Sequence, residues 1–351
     1  MSNLPFLTAD CPGIGGRLKQ QPEDFDVEEI PAYLPSGTGE HLFLWIEKRG
    51  VAAPELSRHI ARTLGISNGD IGVAGMKDKQ AVTRQYVSIP ARAADKITDI
   101  ETDDIHVLQS TLHGNKLRTG QLRSNRFSVL VRDVDEGATE GATERAESIA
   151  EQIGRWGFPN YFGEQRFGRA RETSQLGFEL LSGEKRAGDI PYKKRKFLLK
   201  LALSAAQAEL FNAALVQRMH DDLLHRVLPG DVMQVVESRG PFVVEDVAAE
   251  QPRLDAGEIA LTGPMFGPKM RQPTGAARNR ELQILNQFGI NEAAFTRFPK
   301  LTTGTRRPYL IRPEDLRVEP DTNGLRFHFT LPAGVYATTL LREFMKTDPQ
   351  P

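Results

Sequence analysis

Cysteine is almost missing from this chain: Cys11 is the only one in 351 residues. Internal disulfides are therefore excluded, and a cysteine-based structural zinc site is not expected. Neither sign of charge is in excess, since 45 Lys and Arg stand against 46 Asp and Glu for a net charge of −1. The average charge thus does not advertise a polyanionic partner, and only its distribution could. No uninterrupted apolar run approaches the roughly 20 residues of a membrane span, so no membrane association is expected. The opening MSNLPFLTADCPG lacks the basic start and long apolar stretch of a secretory signal, which predicts a cytoplasmic protein. Nucleotide motifs are missing too. There is no GxxxxGK[ST] phosphate loop, and Gly13-Ile14-Gly15-Gly16 has neither the spacing nor the preceding strand of a dinucleotide fingerprint. Among the seven histidines no two lie three or four residues apart, and His220 and His225 fall on different faces of a helix, so no metal is expected. No GxSxG elbow points to acyl transfer. A redox-neutral reaction with no cofactor remains the simplest enzymatic option.

The charge that is present is sorted. Lys185 to Lys200 holds seven basic residues, among them Lys193, Lys194, Arg195 and Lys196, and one acid, Asp189. His113 to Phe127 carries Lys116, Arg118, Arg123 and Arg126 with no acid, whereas Arg132 to Glu151 holds seven acids and two arginines. A single charge run usually means a solvated face. Two separate basic stretches in a neutral chain favour a nucleic-acid surface.

Hydrophobic spacing predicts strands over 25–30, 41–48, 71–74, 86–89, 127–131 and 325–331, and a strand-rich stretch over 232–247. It predicts helices over 54–64, from the acidic run to Trp156, over 194–227 and over 335–345. Leu56, Ile60 and Leu64 recur every four residues between Pro54 and Gly65, a start and a stop for the first of these helices. Strands mixed with helices without strict alternation favour an α+β fold.

Asp78 is the most unusual feature. It lies between Lys77 and Lys79 on the connection between two predicted strands, where adjacent cations favour the charged carboxylate and suit it to act as nucleophile or base. Its local composition also fits a solvated turn in which the aspartate bonds its own backbone. Two other segments stand out. Lys19 to Glu28 sets a cation and Phe25 at the start of a strand, and Asn160 to Gly168 interleaves aromatic, polar and glycine residues with no regular period.

These segments are what the sequence shares with a known family. KQQPEDFDVE (19–28), AGMKDKQAVTRQ (74–85), LRSNRF (122–127), NYFGEQRFG (160–168), GTRRP (304–308) and LPAGVYATTLLRE (331–343) follow one another as in the TruD family of tRNA pseudouridine synthases, which the chain resembles over almost its whole length. The resemblance implies isomerisation of the uridine at position 13 of tRNA, flipped out of its stack, with the base detached from nitrogen and rejoined through carbon. It implies that Asp78 is the catalytic aspartate, that Lys19 pairs with it, and that Phe25, Glu28, Asn125, Phe127 and Tyr336 line the uridine site. Tyr336 departs from the phenylalanine of the family's G-x-F-A-T segment, and its hydroxyl needs a partner wherever it is buried.

The resemblance also implies a pseudouridine synthase catalytic domain, residues 1–152 and 304–351, built on a mixed, largely antiparallel sheet, and an inserted TRUD α/β domain, residues 153–303. The Lys193–Lys196 patch would then hold the tRNA backbone across a cleft from Asp78, in a monomer with no protein partner and no cofactor. The competing reading is an RNA-binding or RNA-folding protein without chemistry. A carboxylate facing a polyanion argues against it, because it repels phosphate.

Overall fold

The computed structural model describes residues 4–135 and 141–347, with the side chains of Gln165 and Arg169 left aside. Part of the acidic run, 136–140, and both chain ends lie outside the described residues.

A nine-stranded sheet organises the first region. Its chain-order strands are β1 (Gly15–Arg17), β2 (Phe25–Pro31), β3 (His41–Arg49), β4 (Gly72–Val73), β5 (Val82–Pro90), β6 (Ile105–His113) and β7 (Leu122–Val134). Two more arrive from the far end of the sequence, β14 (Glu314–Asp321) and β15 (Gly324–Pro332). The order across the sheet is β14-β15-β7-β2-β5-β3-β6, with β1 added to β7 and β4 to β5. Among the described residues only β2 and β5 pair in parallel. The fold is therefore α+β on a mixed, largely antiparallel sheet.

Alternation decides what each face does. Phe25, Val27 and Glu29 of β2 pair with Val129, Phe127 and Asn125 of β7, which pair with Phe327, Phe329 and Leu331 of β15. On the other side of β2 the same face continues through Thr83 and Gln85 of β5 to Lys48 and Ile46 of β3. One end of this face is covered by α2 (Ala142–Trp156) and α7 (Ala337–Met345), whose Ile149, Ile153, Leu340 and Phe344 are fully buried. The other end is covered by α1 (Ala53–Leu64) through Leu56, Ile60 and Leu64. Burying each such side chain contributes about 1.5–3 kcal/mol before entropy is counted. α1 stops where expected, on Gly65 in the left-handed conformation with φ 66°. The opposite face carries half-exposed ion pairs, Arg84 with Asp26 and Glu47.

A second hydrophobic cluster runs from Tyr161 to Tyr309. It is centred on α4 (Tyr192–His220), packed by α3 (Glu172–Ser182), α5 (Val247–Asp255) and α6 (Gly275–Gln287). By length and composition α4 could span a membrane, but Leu203, Leu210, Phe211 and Leu215 along it are fully buried inside this cluster. A four-stranded sheet completes the layer, in the order β10 (Pro241–Val243), β9 (Val232–Val235), β11 (Ile259–Met265) and β12 (Thr305–Pro308). The expected boundary at 303/304 thus falls just before a strand that hydrogen-bonds to β11, and Tyr309 is buried in this second cluster. The chain enters and leaves this region side by side: β8 (Phe158–Pro159) pairs with β13 (Leu310–Ile311).

Candidate active site

The segment between β4 and β5 carries Asp78. It begins beside Val87 of β5, where β4 takes up the edge that β2 has left, and returns to Val82. Gly72 permits this close entry, since a Cβ there would lie 2.3 Å from the carbonyl oxygen of Leu117. Side chains from the sheet face then hold the segment down. Lys77 Nζ reaches Glu29 Oε2 at 2.6 Å, with both side chains nearly out of solvent, at 7% and 1% exposure. Glu29 Oε1 also accepts from the Tyr86 backbone N–H. Lys48 is completely buried, and its Nζ donates to the backbone carbonyls of Asp78 (2.8 Å) and Val51 (2.7 Å). It has no carboxylate partner in hydrogen-bonding contact among the described residues, and burial pushes its pKa down to about 8, opposed by the charge of Asp78 and reinforced by that of Lys77.

Above this anchorage the Asp78 carboxylate points outward, 55% exposed, and Lys19 Nζ donates to its Oδ2 at 2.6 Å. The same ammonium lies 4.4 Å from the centre of the Phe25 ring. Phe25 meets Phe127 edge-on with ring centres 6.0 Å apart, and Phe127 stacks on Phe329 at 5.1 Å. Both rings are largely buried, so they form a floor more than an open platform. Asn125 stands on this face opposite Glu29, and its Oδ1 is buried with no hydrogen-bond partner among the described residues. Thr83 Oγ1 and both amide atoms of Gln85, on the neighbouring strand, are equally unpartnered. These side chains give the floor a polar character beside its aromatic rings.

Lys19, Phe25, Asp78, Asn125 and Phe127 therefore share one face. Glu28 does not: alternation turns it to the opposite face, where it pairs with Arg126 at 3.2 Å. Tyr336 immediately precedes α7, four residues beyond the end of β15, and is 39% exposed. Its ring meets Phe162 from the second region edge-on at 6.4 Å. Arg307, a residue the sequence reading passed over, fixes this corner. Its guanidinium lies 4.2 Å from the Phe162 ring centre, bonds Asn160 through both backbone and side-chain oxygens, and donates to the Gly334 carbonyl just before Tyr336. Burial lowers its pKa to about 10.

The basic run opens α4. Lys193, Lys194 and Lys196 are exposed, and their side chains form no ion pair or hydrogen bond among the described residues. Arg195 differs: its guanidinium donates to the carbonyls of Ile190 and Gly188 and stands 5.6 Å from the Tyr192 ring. Among the described residues no cluster of three or more His, Cys, Asp or Glu is arranged to hold a metal.

Sequence reasoning missed Glu29, Lys48, Lys77 as an anchor, and Gln85. One signal was available. Lys48 is in phase with Leu42, Leu44 and Ile46, so alternation alone puts it on the buried face of β3.

A carboxylate held by an ammonium, above aromatic rings and a buried amide oxygen, suits a planar, hydrogen-bonding substrate. Comparison with known proteins makes the class specific. The family model described as tRNA pseudouridine synthase D (TruD) matches residues 2–188 and 194–344. A tRNA pseudouridine synthase D from Anaeromyxobacter dehalogenans is 43% identical over 346 residues, covering 99% of this chain and 97% of the relative. One from Thermus thermophilus is 41% identical over 345 residues, covering 98% and 92%. Among solved structures, a Methanosarcina mazei protein assigned as a tRNA pseudouridine synthase D superposes with a TM-score of 0.75 at 27% identity, covering 97% of this chain and 95% of that one. The chain belongs to the tRNA pseudouridine synthase D family.

Proposed function

We propose that this protein isomerises the uridine at position 13 of tRNA to pseudouridine, with Asp78 as the essential carboxylate. The N1–C1′ bond breaks, a C5–C1′ bond forms, C5 gives up its proton and N1 gains one, so atoms balance without a cofactor. The observation that carries the reading is the Asp78 carboxylate, paired with Lys19 at 2.6 Å while its own backbone is bonded from below by buried Lys48. Such a group is aimed before substrate arrives, which suits attack on C1′, attack on the base or assistance to an elimination.

The target base leaves its stack to reach the carboxylate, since a duplex shields it. Phe25 and Phe127 provide the floor, Asn125 Oδ1 an acceptor for an N–H of the base, and Tyr336 an exposed ring that stacks on it. The two hydrophobic clusters support a division into a catalytic unit, 1–152 with 304–351, and an inserted unit, 153–303, with Thr305–Pro308 paired across the division. Lys193, Lys194 and Lys196 contact phosphates and set the register of the tRNA.

The test is tritium release from tRNA labelled at uridine C5, run on the wild type and Asp78→Asn alongside tRNA binding. Release that disappears in the variant while binding persists supports the reading. No release by the wild type from any unmodified tRNA, with tight binding by both proteins, would replace it with the RNA-binding alternative.

A further inference from the structure

Met76 lies two residues before Asp78 and is 81% exposed, more than any other large apolar residue described except Tyr192. Scattered exposed apolar residues are common and call for no account. This one sits on a loop tied down on both sides. Gly120 N–H donates to the Ala74 carbonyl at 2.7 Å on its N-terminal side, Lys77 is tied to Glu29 directly after it, and Asp78 is tied to Lys19 and Lys48 beyond that. Side chains along the segment alternate. Lys77 turns inward, whereas Met76 and Asp78, on either side of it, are both exposed to solvent. The loop backbone is thus fixed while a flexible, unbranched apolar side chain stands exposed two residues before the carboxylate, with exposed Lys79 just after it.

A uridine that leaves its stack to reach Asp78 opens a gap between its neighbours, and an apolar side chain inserted there replaces part of the lost stacking and keeps water out. We infer that Met76 is the wedge that enters the tRNA stack where the target uridine has left it, and so holds the extruded state. Flexibility suits the task, because a thioether chain adapts to the irregular gap between two unequal bases. The inference rests on the reading of Asp78 as the carboxylate acting on a tRNA uridine. It adds a group that touches the nucleotides left behind and not the one that reacts.

Single-turnover tritium release from two tRNAs tests it, one unaltered and one with the base opposite the target uridine removed, so that extrusion is already easy. Met76→Ala should lower the rate on the unaltered tRNA about tenfold while changing it less than about threefold on the altered one. Met76→Leu should restore most of the rate on both. An equal loss on both substrates, or no loss on either, overturns the wedge. Failure of the wild type to release tritium from either tRNA would be a failure of the functional reading itself, and is distinct from those outcomes. Met76 is exposed, so its truncation should leave the melting temperature in place and the comparison interpretable.

Discussion

Two short basic segments, Lys77-Asp78-Lys79 and Lys193-Lys194-Arg195-Lys196, look alike in composition and are used in opposite ways. In the first, charge is anchored around the carboxylate, and only Lys79 is left exposed among its lysines. Lys77 is spent on buried Glu29, buried Lys48 bonds the loop backbone from beneath, and Lys19 comes in from another strand end to pair with the one carboxylate left outside. In the second, three lysines point to solvent with no partner among the described residues, and only Arg195 is tied to its own chain. Anchored charge gives geometry at the cost of burial, while free charge gives long-range attraction and little precision. Chemistry needs the former and docking of a polyanion the latter.

The sharpest way to break the contrast is at the carboxylate. Asp78→Asn should reduce tritium release at least about 10³-fold, as loss of a reacting group does, with tRNA affinity kept within about threefold. An equal fall in binding would mean that the loop docks the substrate and that the two segments share one role.

Next comes the anchor. Lys77→Met leaves the Glu29 carboxylate buried and unpaired, which costs about 3–5 kcal/mol of folding stability. The same substitution at Lys193 should cost nothing measurable in chemical denaturation. Adding Glu29→Met to Lys77→Met should recover most of the stability but little of the activity, because the loop would be packed yet no longer tied. Full recovery of activity would show that the tie serves folding alone.

How much of this could be read from sequence follows from where partners lie. α1 was legible down to its Pro54 start and Gly65 stop because every signal is within a turn or two. β2 and β3 appeared within a residue of their observed ends for the same reason. The predicted helix over 194–227 ends early, at His220, where Asp221 to Gly230 takes up turns and Asp222 adopts a positive φ. At the site, Lys77 reads as solvated because its partner is 48 residues away, and Arg307 shows nothing locally because Asn160 is 147 residues away. Glu28 was grouped with Phe25 through the family resemblance, but three residues along a strand lead to the opposite face. Asn125 and Tyr336 came through the family resemblance alone, whereas Asp78 and Lys19 lie in segments that stand out by composition and owe only their assigned roles to it.

Lys48 offers a smaller effect of distinctive sign. An ordinary lysine loses its proton near 10.5, and burial brings Lys48 to about 8. Between those values the unfolded chain holds the proton that the folded one has lost, so this group makes stability rise with pH across that window. The positive charge facing Asp78 and Lys77 from below disappears over the same range. Single-turnover release should therefore decline around pH 8 while the chemical stability contributed by this position grows, an unusual divergence. Lys48→Met should remove both trends. A decline around pH 8 that persists unchanged in this variant would assign it to another group.

The smallest effect belongs to the free charges, and it separates members of one run from each other. Replacing Lys193, Lys194 and Lys196 by Gln together removes as many as three phosphate contacts. The slope of log affinity against log salt should then shrink by about 2–3, with a modest loss of affinity at physiological salt that is uniform across tRNAs. Arg195→Gln should change the slope by well under one unit, since that guanidinium is bonded to the carbonyls of Ile190 and Gly188, and should instead loosen the start of α4. If Arg195 moved the slope as much as a lysine does, its hydrogen bonds would have to be given up on binding. If the triple variant left the slope unchanged, the patch would be a solvated helix end, and the tRNA would have to be steered by cations nearer the Asp78 face.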